Sequence, residues 1–354
     1  MTVAGLLQAY EDWSAAAKPL VLATVFETAG STYSKAGAQM LITDDGKFQG
    51  MLSGGCLEGD LAERARLVLE SGLLQSVTYD LGSNDEELWG LGVGCDGLMK
   101  IFLQPLQTKT GYEPFATMVN VFGGDNEQVA ATVIDSTIDA LPAGATMVVV
   151  AGEQVFNNIE NEFEQSISVL VDATLQTRTS ASHEIATNSG NATILLSLLQ
   201  PPPNILVLGA GLDAEPVVRF AQELGWRVTV QDHRPGYIEA GSFAGAELHC
   251  VPVHEVSSTL EFERYAAVIV MSHHLASDRQ YLSQLAESRI PYIGLLGPIE
   301  RRRRLMEDLG EASANLQDRL HGPAGIDIGG RGPASIALSI VAGMHRHMTE
   351  SGIT

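Results

Sequence analysis

The sequence predicts an α/β protein in two parts: an N-terminal α+β domain followed by a C-terminal domain built on a parallel sheet. Three observations carry this. Residues 204–232, NILVLGAGLDAEPVVRFAQELGWRVTVQD, read as strand, glycine turn, amphipathic helix, strand and terminal acid, the opening βαβ of a dinucleotide-type fold. About two hundred residues precede that motif in a chain of 354, room for a domain that the motif does not explain. Between them stands Pro201-Pro202-Pro203, a stiff spacer that continues neither a helix nor a central strand. The domains are accordingly 1–200 and 204–354.

The elements follow from pattern. In the first domain an amphipathic helix is expected over 4–17, ended by Pro19, then strands at 20–27 and 38–43. A glycine loop at 53–55 leads into a helix from about Leu57 to Glu70, followed by a strand at 75–81. Asn84–Leu91 suggest a helical turn, and the glycine loop 92–97 precedes a strand at 98–103. The middle segment, 108–192, is poorly assigned. It shows strand patterns at 128–134 and 146–151, and a polar stretch at 173–192 that suggests turns or a hairpin, before a last strand at 192–199. No internal repeat is evident. After the prolines, strands are expected at 204–208, 227–231, 247–252, 266–272 and 291–295, with helices at 214–224, 277–288, 299–309 and 333–347. Alternating strands and helices give a parallel sheet covered on both faces, a Rossmann-like arrangement.

Composition narrows the partners. With 21 basic and 43 acidic residues the formal charge is −22, which disfavours nucleic acid and anionic membrane and suits solubility or docking to a basic protein surface. No apolar stretch approaches the length of a membrane span. Cys56, Cys95 and Cys250 lie far apart without a CxxC pairing, as expected of a reducing cytoplasm and not of a disulfide framework or structural zinc. Cys250, in an expected strand, reads as core.

Several residues can carry chemistry. In Ser53-Gly54-Gly55-Cys56-Leu57-Glu58, glycines before a helix free backbone N–H groups for an anion. Cys56 stands at the helix start, where the dipole favours the thiolate; the same pattern also fits a small residue filling a tight turn. Cys95, in Gly92-Val93-Gly94-Cys95-Asp96-Gly97, has an acid beside it and is the less reactive of the two. Two such loops suit a soft metal or a sulfur-bearing cofactor. Gly209 and Gly211 form the nucleotide-type turn, and Asp232, 21 residues after Gly211, has the spacing of a ribose-binding acid. Asp213 and Glu215 flank the helix start and oppose a pyrophosphate. His273, His274 and Gly297 follow strands whose carboxyl ends border the ligand crevice of such a sheet. Arg301 and Arg304, one turn apart, can point together at an anion.

Taken in order, PLVLATVFETAGSTYSKAGAQML at 19–41, SGGCLEGD at 53–60, GVGCDG at 92–97, ILVLGAGLDAEPV at 205–217, VQDHRPGY at 230–237, MSHHLASDRQYL at 271–282, YIGLLGPIERRRRL at 292–305 and LHGPAGIDIGGRGPASIALSI at 320–340 resemble the XdhC/CoxI family of maturation factors for molybdenum hydroxylases such as xanthine and carbon monoxide dehydrogenases. The resemblance implies a cytoplasmic accessory protein more than a turnover enzyme. Such a protein binds molybdenum cofactor (molybdopterin) as cargo, supports its sulfuration and passes it to an apo molybdenum hydroxylase. It also implies a cysteine desulfurase-type sulfur donor as partner, a homodimer, and Cys56 as molybdenum ligand or sulfur carrier, with Ser53, Gly54, Gly55 and Glu58 around the cofactor. Leu212 departs from the pattern, standing where many members carry histidine. The alternative is an NAD(P)-linked oxidoreductase using the Rossmann domain, with His273 or His274 as acid/base.

Overall fold

A computed structural model describes residues 3–80, 97–122 and 124–353. The chain divides into two compact units, Met1–Pro201 and Pro202–Thr354. The first begins with α1 (Val3–Ala15), then β1 (Leu20–Gly30), β2 (Gln39–Thr43), β3 (Phe48–Gly50), α2 (Glu58–Ser71), β4 (Gln75–Asp80) and β5 (Gly97–Leu106). These strands make an antiparallel sheet ordered β3-β2-β1-β5-β4. After α3 (Phe115–Phe122) come β6 (Gln128–Ser136), β7 (Thr146–Val150), β8 (Glu153–Asn157), α4 (Asn161–Thr177), β9 (Ala181–Thr187) and β10 (Gly190–Leu199). Their sheet is ordered β8-β7-β6-β10-β9. The polar stretch at 173–192 therefore holds the last turn of α4 and the β9–β10 hairpin. Helix α4, absent from the sequence reading, buries Phe163, Ile167, Val171 and Thr174 along one stripe.

Leu20 to Phe26 are buried without a break because β1 is covered on both sides. Val21, Ala23 and Val25 pack with Leu61, Ala65 and Val68 of α2. On the other face Leu20 and Leu22 join Ala130, Val148 and Leu199 of the second sheet, and Phe26 joins Phe102, Ile134 and Leu195. The far side of the second sheet is covered by α4. The unit is thus layered helix, sheet, sheet, helix.

The two sheets are one motif used twice, and this corrects the reading that the chain has no internal repeat. Leu22 pairs with Leu41 on one side and Gln104 on the other. Ala130 stands in the same relation to Val148 and Ser197. In the first sheet the β1–β5 register slips at Phe26, between Val25↔Ile101 and Glu27↔Lys100. In the second it slips at Ile134, between Val133↔Ile194 and Asp135↔Thr193. Both bulges fall in the same phrase, Ala23-Thr24-Val25-Phe26-Glu27-Thr28 and Ala131-Thr132-Val133-Ile134-Asp135-Ser136. The fifth strands also begin alike. A Cβ on Gly97 would lie 2.4 Å from the Ser31 carbonyl oxygen, and one on Gly190 2.4 Å from Thr137 Oγ1, so neither site admits a side chain.

The second unit runs β11 (Asn204–Leu208), α5 (Ala214–Glu223), β12 (Arg227–Gln231), α6 (Pro235–Ala240), β13 (Glu247–His249), α7 (Val256–Thr259), β14 (Ala267–Val270), α8 (Leu275–Leu285), β15 (Ile293–Leu295), α9 (Ile299–Leu309), β16 (Leu320–His321) and α10 (Pro333–Glu350). All six strands are parallel, ordered β13-β12-β11-β14-β15-β16. Helices α5 and α10 cover one face, α8 and α9 the other. The strand order reverses between β11 and β14, so the crevice lies beyond their carboxyl ends. Strand β13 is shorter than expected, and Cys250 just after it is exposed, not core.

Because Phe102 is shared by both sheets of the duplicated unit, Phe102→Ala is expected to destabilise it by about 3–5 kcal/mol. Urea unfolding followed by circular dichroism checks this; a marginal change would show that the sheets do not depend on a common core.

Candidate functional site

The SGGC loop is organised by one acid. Glu58, the first residue of α2 and buried, turns back into the loop. Its Oε1 accepts from the amides of Leu52 and Ser53, each at 2.9 Å. Its Oε2 accepts from Ser53 Oγ at 2.5 Å and from the amides of Gly55 and Leu57 at 3.0 and 3.2 Å. Burial works to raise the Glu58 carboxyl; the Ser53 hydroxyl and the loop amides outweigh it and hold its pKa below the ordinary value. The amides expected to meet an external anion are thus largely taken by the chain's own carboxylate. Cys56, two residues before Glu58, is half-buried, with its side chain against the core under α2.

A second loop supports this one. Ser34 Oγ donates to the Met51 carbonyl at 3.2 Å. The exposed Tyr33 ring lies 3.4 Å from where a Cβ on Gly54 would be, and Gly97 packs under Ser31 and Thr32. Residues 31–34, the SGGC loop and the start of β5 therefore converge. Cys95 and most of its glycine loop lie outside the described residues. Tyr33 was not singled out in the sequence, although it sits in the longest resembling stretch.

At the nucleotide-type turn another acid does what Glu58 does. Asp232 is buried, and its Oδ2 accepts from the Ala210 amide at 2.9 Å. Arg234 grips it bidentately, Nε to Oδ1 at 2.8 Å and Nη2 to Oδ2 at 2.7 Å, and adds its own amide at 3.0 Å. Burial raises the Asp232 carboxyl, but Arg234 and the Ala210 amide prevail and its pKa is lowered. Both oxygens are occupied, so a ribose hydroxyl would have to displace a partner. A Cβ on Gly209 would lie 2.5 Å from the Met271 carbonyl oxygen, so this glycine is required where β11 and β14 end side by side. Asp213 crowds Gly211, its Oδ1 2.6 Å from a Cβ there. Glu215 accepts from the Ser242 amide at 3.0 Å.

The two histidines part company. His273 takes a left-handed backbone, φ 59°, and its Nε2 meets Asp213 Oδ2 at 2.7 Å while the ring stays exposed. His274 caps α8, with its Nδ1 accepting from the Ser277 amide at 3.3 Å. Behind them buried Asp278 binds Ser272 Oγ and receives Arg301 through Nε at 3.1 Å and Nη2 at 2.6 Å. Gly297 lets this happen: a Cβ there would lie 2.6 Å from Arg301 Cδ. Arg301 thus serves an internal carboxylate, while Arg304 is exposed. Arg234 and Asp278, unremarked in the sequence, are the residues that explain the crevice; the Asp-x-Arg spacing of Asp232 and Arg234 was the available signal. Among the described residues no cluster of three or more metal-ligating side chains occurs, and no helix is long and apolar enough to cross a membrane.

A duplicated α+β unit with a cysteine loop, joined to a Rossmann unit whose turn is closed by its own acid, defines a class. Residues 13–80 match the model of the XdhC and CoxI family, and residues 205–344 that of the XdhC Rossmann domain. The chain belongs to the XdhC/CoxI family. It is 28% identical to a Bacillus subtilis (strain 168) protein described as a probable subunit of xanthine dehydrogenase, over 91% of each chain. It is 21% identical to the Escherichia coli (strain K12) molybdenum cofactor insertion chaperone PaoD, over 92% of this chain and 82% of that one. A crystal structure of a xanthine dehydrogenase from Bacillus halodurans superposes with a TM-score of 0.79 at 28% identity, covering 97% of this chain and 96% of the other.

Two outcomes follow for these sites. Glu58→Gln leaves loop amides unpaired and is expected to cost about 2–4 kcal/mol. Because the folded pKa of Glu58 is lowered, that difference is fully present above about pH 5 and shrinks as pH falls through the lowered value; thermal melts of both proteins across pH measure it, and a pH-independent gap would refute the charged contact. Calorimetry with NAD(H) and NADP(H) is expected to show no low-micromolar binding. Affinity of that order would mean that Arg234 yields Asp232 to a ribose.

Proposed function

We propose that this chain is a maturation factor that receives molybdenum cofactor in the cytoplasm and hands it to an apo molybdenum hydroxylase of the xanthine dehydrogenase type. The observation that carries the reading is the SGGC loop in a chain similar, over most of its length, to a molybdenum cofactor insertion chaperone. With Glu58 filling most of the loop's amide nest, the loop's remaining reactive group is the Cys56 thiol. A thiolate is a soft donor suited to molybdenum and to sulfur transfer. Cys56 accordingly holds the cargo's metal or carries sulfur to it, with a cysteine desulfurase-type donor supplying that sulfur. Ser53, Gly54, Gly55 and Glu58 shape the seat, and Cys95 is the second thiol. The working form is a homodimer. An NAD(P)-linked oxidoreductase would need an open ribose acceptor and an unblocked pyrophosphate site, and saturated Asp232 with Asp213 over Gly211 argues against both.

Cys56→Ser is expected to lower activation of a co-expressed apo-hydroxylase by about tenfold or more while the thermal midpoint stays that of the unaltered protein. Undiminished activation by the serine variant would remove Cys56 from the function.

A further inference from the structure

The second unit holds a histidine cluster that the reading above does not use. His321 ends the edge strand β16, and Tyr292 leads into β15 beside it. Their rings stack, with centroids 4.3 Å apart and planes inclined by 10°. His347, in the last turn of α10, completes the group, 5.2 Å from Tyr292 and 5.7 Å from His321. Arg302 of α9 lays its stem against Gly322, the residue after His321; a Cβ there would lie 3.0 Å from Arg302 Cδ. The turns of α10 around His347 carry Met344 and Met348, which share a core with Ile205 and Val207 of β11. The cluster therefore sits where the end of the last helix is held to the sheet.

Its polar atoms are not satisfied within the chain. His321 Nε2, His347 Nε2 and Arg302 Nε are buried without a hydrogen-bond partner, three of the six such side-chain atoms among the described residues. Tyr292 differs: its hydroxyl meets the backbone at Gly325, and burial raises its phenol, so it stays neutral. Burial lowers the His321 pKa, and positive charge on His347, Arg302 and Arg346 lowers it further. None of the charges acting on His321 is negative. Paired imidazoles can hold a metal, but this pair has no third ligand among the described residues, and two nearby guanidinium groups repel a cation. A proton on either ring meets the same repulsion. The arrangement suits two uncharged imidazoles.

We infer that His321 and His347 form an acid-operated latch: neutral, they hold the end of α10 against β16 and Tyr292; protonated, they repel each other, Arg302 and Arg346 and let it go. The latch does not depend on the proposed function. Burial among cations disfavours the charged imidazole, so the released helix end takes up a proton more readily than the docked one. Docking is therefore complete above the ordinary histidine pKa of about 6.5 and weakens as pH falls from there toward the lowered value. The rest of the chain moves the other way. Its formal charge is −22, and protonating histidines elsewhere lessens the repulsion among its acids. A local release against that trend is the signature of the latch.

Hydrogen–deuterium exchange of the full chain, corrected for the intrinsic pH dependence of exchange, reads the latch in peptides covering 344–353, with 204–208 of β11 as reference. Between about pH 7.5 and about pH 5.5, protection at 344–353 is expected to fall about tenfold or more, while that at 204–208 holds. His321→Phe/His347→Phe keeps the rings and removes the titrating nitrogens, and its protection at 344–353 is expected to stay constant over the same range. Should the phenylalanine pair fail to fold, His321→Gln/His347→Gln serves instead. His345→Gln alters the neighbouring histidine, whose ring lies 5.9 Å from that of Trp226, and is expected to release α10 as the unaltered protein does. Constant protection at 344–353 in the unaltered protein overturns the latch. Release of the double variants at the same pH overturns it too, since the charge would then come from elsewhere. Loss of release in His345→Gln overturns the assignment to His321 and His347.

Discussion

Carboxylates turned inward onto glycine loops are the interaction on which this molecule depends. A glycine turn ahead of a helix is a cluster of unpaired N–H groups, and a buried cluster of that kind is costly unless an acceptor fills it. Glu58 fills the SGGC loop, and Asp232, backed by Arg234, fills the turn after β11. Asp278 does related work one strand further on, joining Ser272 to Arg301. These bonds fix where Cys56 and His273 sit. The polar groups of these loops are met from within the chain.

The same solution shapes reactivity. A phosphate-binding turn and a self-closed turn share one backbone; they differ in who supplies the negative charge. In the second unit Asp213 lies over Gly211, and Arg234 and the Ala210 amide take both oxygens of Asp232. In the first unit Glu58 takes the amides and leaves the thiol as the distinctive group of the loop. A fold associated with nucleotides can in this way be kept as a scaffold while the chemistry moves elsewhere.

Much of this was legible in the sequence. The Rossmann half was readable because buried parallel strands, glycine turn and amphipathic helix each leave a local signature. Helix 299–309 and strands 204–208 and 227–231 fall where patterning puts them. Local signals failed where burial is supplied by distant partners. Helix α4 was missed because its buried stripe mixes Thr174 with apolar residues and exposes Val169. The cysteine loop was visible from glycines and a helix start, but the inward turn of Glu58 was not, since spacing alone does not say whether an acid faces solvent or its own loop. The repeat was present as Ala-Thr-Val at 23–25 and 131–133, too short to notice until strand register aligned the halves.

That repeat has a consequence of its own. The first unit contains an internal control: two versions of one motif, tied in the same chain, of which only one carries the cysteine loop. Where the copies agree, as at the bulges and at Gly97 and Gly190, the shared architecture sets the residue. Where they diverge, as SGGC against Asn158-Ile159-Glu160 between β8 and α4, or Lys100 against Thr193, architecture has been satisfied both ways and some other pressure chose. Comparing the molecule with itself therefore separates what the scaffold demands from what the task demands.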